Sequence, residues 1–106
     1  MPKYLIQASY TAEGTKGLAK EGAAKRRANV ESFIKAGGGK LEAFYFAFGD
    51  QDVVAIVDAP DAQAAVAFSM AVNATGALRL QTTPLLTPEE MDGAMKKSVT
   101  YRPPGT

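Results

Sequence analysis

One arginine sits where the pattern calls for an apolar side chain. Mapped at ~100° per residue, Leu18, Ala19, Gly22, Ala23, Val30, Phe33 and Ile34 share one side of a helix, and Arg26 falls among them. A guanidinium carries five donors and no acceptor, so in apolar surroundings it must find an anion or carbonyls. Arg26 can bind an anionic ligand. Alternatively it pairs with an internal carboxylate or strand-end carbonyls while its stem packs on the core. The structural reading is the stronger of the two. Further polar side chains interrupt otherwise apolar strands: Arg79 and Gln81 late in the chain, Gln7 and Ser9 near its start. These are candidate ligand contacts. They point away from Leu78 and Leu80, which places them on an inter-subunit side, so Arg26 and Arg79 serve different spaces.

A second cluster is Gly49-Asp50-Gln51-Asp52, with two carboxylates flanking one residue. Such a pair could hold a hard cation or act as acid and base. A hard cation wants six or more oxygens, and two aspartates supply too few. Asp50 is a common turn residue, and Asp52 at a strand start can accept backbone hydrogen bonds. Tyr4, Tyr10 and Tyr45 could offer phenols to a cavity, but tyrosines on sheet faces more often pack with a satisfied hydroxyl. Phe44, Phe46 and Phe48 form a ladder that is core or the floor of an apolar pocket.

Composition removes several chemistries. The 106 residues contain no histidine, cysteine or tryptophan. Ser-His-Asp and Cys-His catalysis, a histidine-ligated haem, soft-metal sites and disulfides are therefore excluded. No metal or cofactor is expected. A general base would have to be a carboxylate, lysine or tyrosine. The net charge of +1 provides no field for nucleic acid or anionic lipid. Lys25-Arg26-Arg27 is flanked by Glu21 and Glu31 and reads as a solvated helix face. Neither a signal peptide nor a ~20-residue apolar span is visible, so a cytoplasmic location without membrane or nucleic-acid partners is the expectation.

The elements that must position these groups follow from periodicity and punctuation. Lys3–Tyr10 alternates as a strand. A turn at Thr11–Gly14 and a cap at Thr15 precede one long helix, Lys16–Ala36, which Gly37-Gly38-Gly39 stops. Because helix precedes strand there, the glycines are no nucleotide fingerprint. Lys40–Phe48 is the second strand, with Phe44, Phe46 and Phe48 on one face and Leu41, Ala43, Tyr45 and Ala47 on the other. Asp52–Asp58 is the third, joined to the second by a hairpin. Asp58-Ala59-Pro60-Asp61 starts a helix over Ala62–Ala74, closed by Gly76. Ala77–Thr83 is the fourth strand, ended by Pro84. Thr87-Pro88-Glu89-Glu90 opens a short helix to about Lys97 with the form of a capping box.

The order β-α-β-β-α-β predicts an α+β, ferredoxin-like domain over residues 1–97, with a four-stranded antiparallel sheet and an extended tail at 98–106. Its second and third strands are apolar on both faces, whereas a sheet with one wet face alternates cleanly. The bare face is therefore expected to pack on a second copy, as a homodimer or a larger homo-oligomer.

Several segments together resemble a known family: Tyr4-Leu5-Ile6, the Thr11…Gly14 turn, Ala36-Gly37-Gly38-Gly39-Lys40-Leu41, Phe44-Tyr45-Phe46, Gly49-Asp50-Gln51-Asp52-Val53-Val54, Asp58-Ala59-Pro60-Asp61 and Thr87-Pro88-Glu89-Glu90. The combination is similar to the GYD-domain proteins, over about residues 3 to 97. The resemblance implies a ferredoxin-like chain forming a dimeric α/β barrel. It implies no particular activity, since the superfamily spans cofactor-free monooxygenases, haem-degrading enzymes, isomerases and ligand-sensing domains. The chain departs from the family at the motif that names it, with Gln51 where the tyrosine stands.

The functional expectation is a small oligomeric protein that binds a small, partly apolar molecule, which can be anionic, in a sheet-lined cavity. Arg79, Gln81, Gln7 and Ser9 would contact it, with Arg26 nearby or structural. The alternatives are a cofactor-free oxygenase or isomerase and a domain that exists only to assemble.

Overall fold

The computed structural model describes residues 1–47 and 49–106. In chain order the elements are β1 (Lys3–Tyr10), α1 (Ala12–Glu21), α2 (Ala23–Ala36), β2 (Lys40–Phe46), β3 (Val53–Asp58), α3 (Ala62–Asn73), β4 (Leu78–Leu85) and α4 (Pro88–Met95). The strands form one antiparallel sheet in the order β2-β3-β1-β4. This is the ferredoxin-like arrangement that the sequence predicts.

The long helix is two helices. Thr11, not Thr15, is the N-cap of α1, its hydroxyl accepting from the Gly14 N–H. Gly22 then breaks the run at φ 93°, a conformation that glycine adopts without steric cost. Its N–H donates to the Leu18 carbonyl while its own carbonyl accepts from the Arg26 N–H at 3.0 Å. One residue thus ends α1 and starts α2.

The second correction concerns β2. The register slips between Leu41 and Ala43, so Leu41 pairs with Val57 and Phe44 with Ala55. This bulge puts Leu41 on the same face as Phe44 and Phe46, because an extra residue reverses the alternation. Phe48, expected to extend that ladder and its strand, lies outside the described residues. The third correction is Pro84, which lies inside β4 opposite Tyr4 instead of ending the strand. β4 is an edge strand, where a missing N–H is tolerated.

One face of the sheet carries the helices. Its core residues are Tyr4, Ala8, Leu41, Val53, Ala55 and Val57 from the strands, with Ile34 of α2, Ala59 and Ala65 of α3. The other face presents Leu5, Gln7, Ser9, Ala43, Tyr45, Val54 and Ile56, and no element of the chain covers it. Tyr45 is 69% exposed there. Lys3 ties that face together at one end, donating to Glu42 at 2.6 Å and Asp58 at 2.9 Å.

From Leu86 onward every residue is exposed. α4 has the expected capping box, with Thr87 and Glu90 exchanging side-chain-to-backbone bonds. It buries none of its own residues. The radius of gyration of 16.8 Å exceeds the ~13 Å of a rounded 100-residue domain, because this arm extends from the body. No helix among the described residues is long and apolar enough to cross a membrane.

Candidate functional site

The alternation of β1 sends Tyr4, Ile6, Ala8 and Tyr10 to the helix side. With Phe44, Val53, Ala55 and Val57 they floor a cavity of about 400 Å³. Val30, Phe33 and Ile34 of α2 wall one side, and Ala65, Phe68 and Val72 of α3 the other. The two helices meet edge to face through Phe33 and Phe68, whose ring centres are 5.6 Å apart. Phe68 fits there because Gly37 has no side chain; a Cβ on Gly37 would overlap the ring. Ala71 and Thr75 in the lining are exposed, so the cavity is open to solvent there.

The space is open to solvent, and its walls are apolar. The cavity has the volume of a small-molecule site, roughly 300–1,000 Å³.

Most polar groups in the lining are already satisfied. The Ser69 hydroxyl bonds the Ala65 carbonyl at 3.0 Å and the Thr82 hydroxyl. The Thr75 hydroxyl donates to the Val72 carbonyl at 2.8 Å. Two groups remain, Arg26 and Tyr10. Arg26 Nε lies 3.4 Å from Glu21 Oε1, an ion-pair distance. The alignment does not make a hydrogen bond, so this buried N–H has no acceptor among the described residues. Glu21 is the last residue of α1 and Arg26 lies in the first turn of α2, so the pair spans the Gly22 break. Glu21 Oε2 is engaged elsewhere, accepting from Asn29 Nδ2 at 2.7 Å.

Burial pushes the Tyr10 phenol above its ordinary range. Arg26 opposes the shift, and Glu21 and Asp52 reinforce it. The hydroxyl therefore keeps its proton at neutral pH and acts as a donor. The open end of the cavity thus offers two donor groups, and no carboxylate lines the cavity among the described residues.

The other candidates from the sequence lie elsewhere. Ser9, Arg79 and Gln81 share an open, more polar space of about 730 Å³ beside the β4 edge, with Gln51 and Asn73. Gln7 pairs with Gln81 on the open face but does not line that space. Arg26 belongs to the opposite side of the sheet. Ser9, Arg79 and Gln81 therefore share one space, Arg26 lines another, and Gln7 lines neither.

The Gly49–Asp52 turn is joined to the end of β1. Asp52 Oδ2 accepts from the Tyr10 backbone N–H at 2.9 Å, and the Asp52 N–H donates to the Ala8 carbonyl at 2.8 Å. The Ser9 hydroxyl makes longer contacts with the Asp50 carbonyl (3.3 Å) and Gln51 Oε1 (3.4 Å). Asp52 thus supports the strand whose last residue is Tyr10. No cluster of three or more histidine, cysteine, aspartate or glutamate residues that could hold a metal ion occurs among the described residues.

The sequence singles out Arg26 and offers Tyr10 as one of three tyrosines whose phenols could enter a cavity, in phase with Tyr4, Ile6 and Ala8, with packing the stronger reading. Asn73 was missed entirely. Its side chain accepts from the Leu80 N–H at 2.8 Å and donates to the Leu80 carbonyl at 3.3 Å, covering the free edge of β4 as another strand would.

Comparison with known proteins adds one match: the family model described as GYD domain, over residues 4–95. No curated protein and no solved structure matches the chain.

Proposed function

Given that the chain belongs to the GYD domain family, we propose that it is a receptor for a small, largely apolar molecule, held between the sheet and α2/α3. The observation that carries this reading is the 400 Å³ apolar cavity with one unpartnered buried N–H, Arg26 Nε, in its lining. Small-molecule sites combine these features, apolar walls and a few convergent polar groups. An acid–base enzyme of the cofactor-free oxygenase or isomerase type is less well supported. Its base would have to lie in the lining, where there is no carboxylate and the Tyr10 phenol is shifted away from ionisation.

The test is a titration of the full chain with 1-decanol, followed by amide ¹H–¹⁵N spectra. Perturbations are expected at Val30, Phe44, Val53 and Phe68. Val72→Phe, which fills the cavity from α3, should weaken binding at least about tenfold. Perturbations confined to Leu5, Val54 and Ile56 would overturn the reading.

A second reading concerns assembly. The open face presents Leu5, Ala43, Val54 and Ile56 at its centre, half-buried in a single chain and flanked by polar residues. That arrangement of apolar centre and polar rim supports a second copy as the covering partner. Native mass spectrometry of the untreated protein reads both proposals together, as subunit number and as any retained small mass. A monomer at micromolar concentration would overturn the assembly reading and leave the helix-side cavity untouched.

A further inference from the structure

We propose that the cavity selects an apolar monocarboxylate, its carboxylate taken by Arg26 and the Tyr10 hydroxyl and its hydrocarbon body by the walls between the sheet, α2 and α3. The proposal rests on the cavity being a binding site, and it assigns the class of occupant.

Charge balance carries the argument. The lining contains one cation, Arg26, and no anion. The nearest carboxylate, Glu21, meets Arg26 Nε in poor alignment at 3.4 Å and is itself held by Asn29. A buried N–H without an acceptor loses its hydration with nothing in return. A ligand oxyanion supplies the missing acceptor. Tyr10, held protonated, adds a second donor from the floor of the cavity. A protonated amine fits poorly, because a guanidinium and a phenol donor would face it. A phosphate ester with two charges exceeds the single arginine. A neutral alcohol fills the walls and leaves the buried N–H only weakly satisfied.

The remaining surface fixes the body of the ligand. From Tyr10 toward Tyr4 the floor runs through Ala8 and Ile6, and the lining also includes Phe44, Phe33 and Phe68. Ser69, the polar residue along the way, is already bonded within the protein. The occupant therefore has a single charged end and an apolar remainder, lying with the carboxylate at the Gly22 break. Glu21 competes with it for Arg26, and binding shifts the guanidinium from one carboxylate to the other.

The experiment compares decanoate, 1-decanol and decylamine on the full chain by calorimetry at neutral pH, each below its micellar concentration. Decanoate is expected to bind roughly tenfold more tightly than decanol, the scale of a hydrogen bond to a charged group, and decylamine most weakly. Arg26→Gln should reduce decanoate to the affinity of decanol. Glu21→Gln removes the competing carboxylate and should tighten decanoate about threefold, an effect in the direction opposite to that of a merely structural ion pair. Tyr10→Phe gives a second variant, with a smaller loss confined to decanoate. Decanol binding as tightly as decanoate, or Arg26→Gln weakening both in proportion, overturns the monocarboxylate assignment while leaving the cavity as a site. Failure of all three probes to bind overturns the cavity reading, and the assignment with it.

Discussion

The two faces of the sheet are built from the same few strands, yet they leave different problems unsolved. On β3, Val53, Ala55 and Val57 face the helices and are buried, while Val54 and Ile56 between them face outward and are half-buried. The helix face is covered by α2 and α3, which meet through Phe33 and Phe68, and a space remains between them and the sheet. Nothing among the described residues covers the open face. An arginine marks each: Arg26 over the enclosed space, Arg79 beside the open one. The enclosed face calls for a small molecule, whose size the helices limit. The open face calls for another surface.

The most severe way to break this comparison is to place the same charge on adjacent residues of β3. Val57→Asp buries a carboxylate with no partner and should cost more than about 4 kcal/mol, enough to unfold the chain. Ile56→Asp, one residue away, should cost only about 1 kcal/mol of fold stability. Its effect should appear as loss of the oligomer. Urea unfolding and sedimentation velocity separate the two outcomes. If Ile56→Asp also unfolds the chain without any change in association, the open face is part of the core and the comparison fails.

The sequence made this two-sidedness legible through composition alone, since strands two and three carry apolar residues in both phases. It also showed the strand order, because the helix starts at Asp61 and Thr87 and the glycine stop at residues 37–39 are local signals. The failures were also local in origin but tertiary in outcome. Gly22 lies among alanines and lysines that favour helix, and a single glycine is commonly tolerated there. In the fold it takes φ 93°, and α1 docks at Gly14, where a Cβ would overlap the Ala77 carbonyl. The bulge at Leu41–Ala43 has no composition signal, yet it decides which residues join the core. The cavity itself was not legible. Arg26 could be flagged because it broke a pattern. Tyr10 broke none, and only the folded chain puts it in one cavity lining with Arg26.

A milder perturbation tests how the two faces are joined. Asp52 sits between them, its carboxylate accepting the Tyr10 N–H at 2.9 Å. Asp52→Ala leaves that N–H without its partner and should cost about 1–2 kcal/mol. It should also loosen Tyr10, weakening decanoate more than decanol. Ser9→Ala removes only the longer contacts to Asp50 and Gln51 on the open side, at 3.3 and 3.4 Å, and should cost less than about 0.5 kcal/mol. Equal costs for the two would place Tyr10 under the control of the whole turn and not of one carboxylate.

The smallest expected effect is the dependence on alkaline pH, and it reports on the helix face alone. The folded-state pKa of Tyr10 is raised, with burial as the leading cause. In the unfolded chain the phenol titrates near ~10. Between that value and the higher folded one, the unfolded state binds fewer protons than the native state. Stability therefore falls as pH rises through this window, and the contribution is fully present below it. The half-exposed ring makes the slope shallow, because solvent screens the charge. Tyr10→Phe should abolish the slope contributed by this site. Urea midpoints collected between neutral and strongly alkaline pH for the two proteins decide the matter. A slope unchanged in Tyr10→Phe would mean that the phenol is hydrated in both states. It could not then be the buried donor that a carboxylate meets.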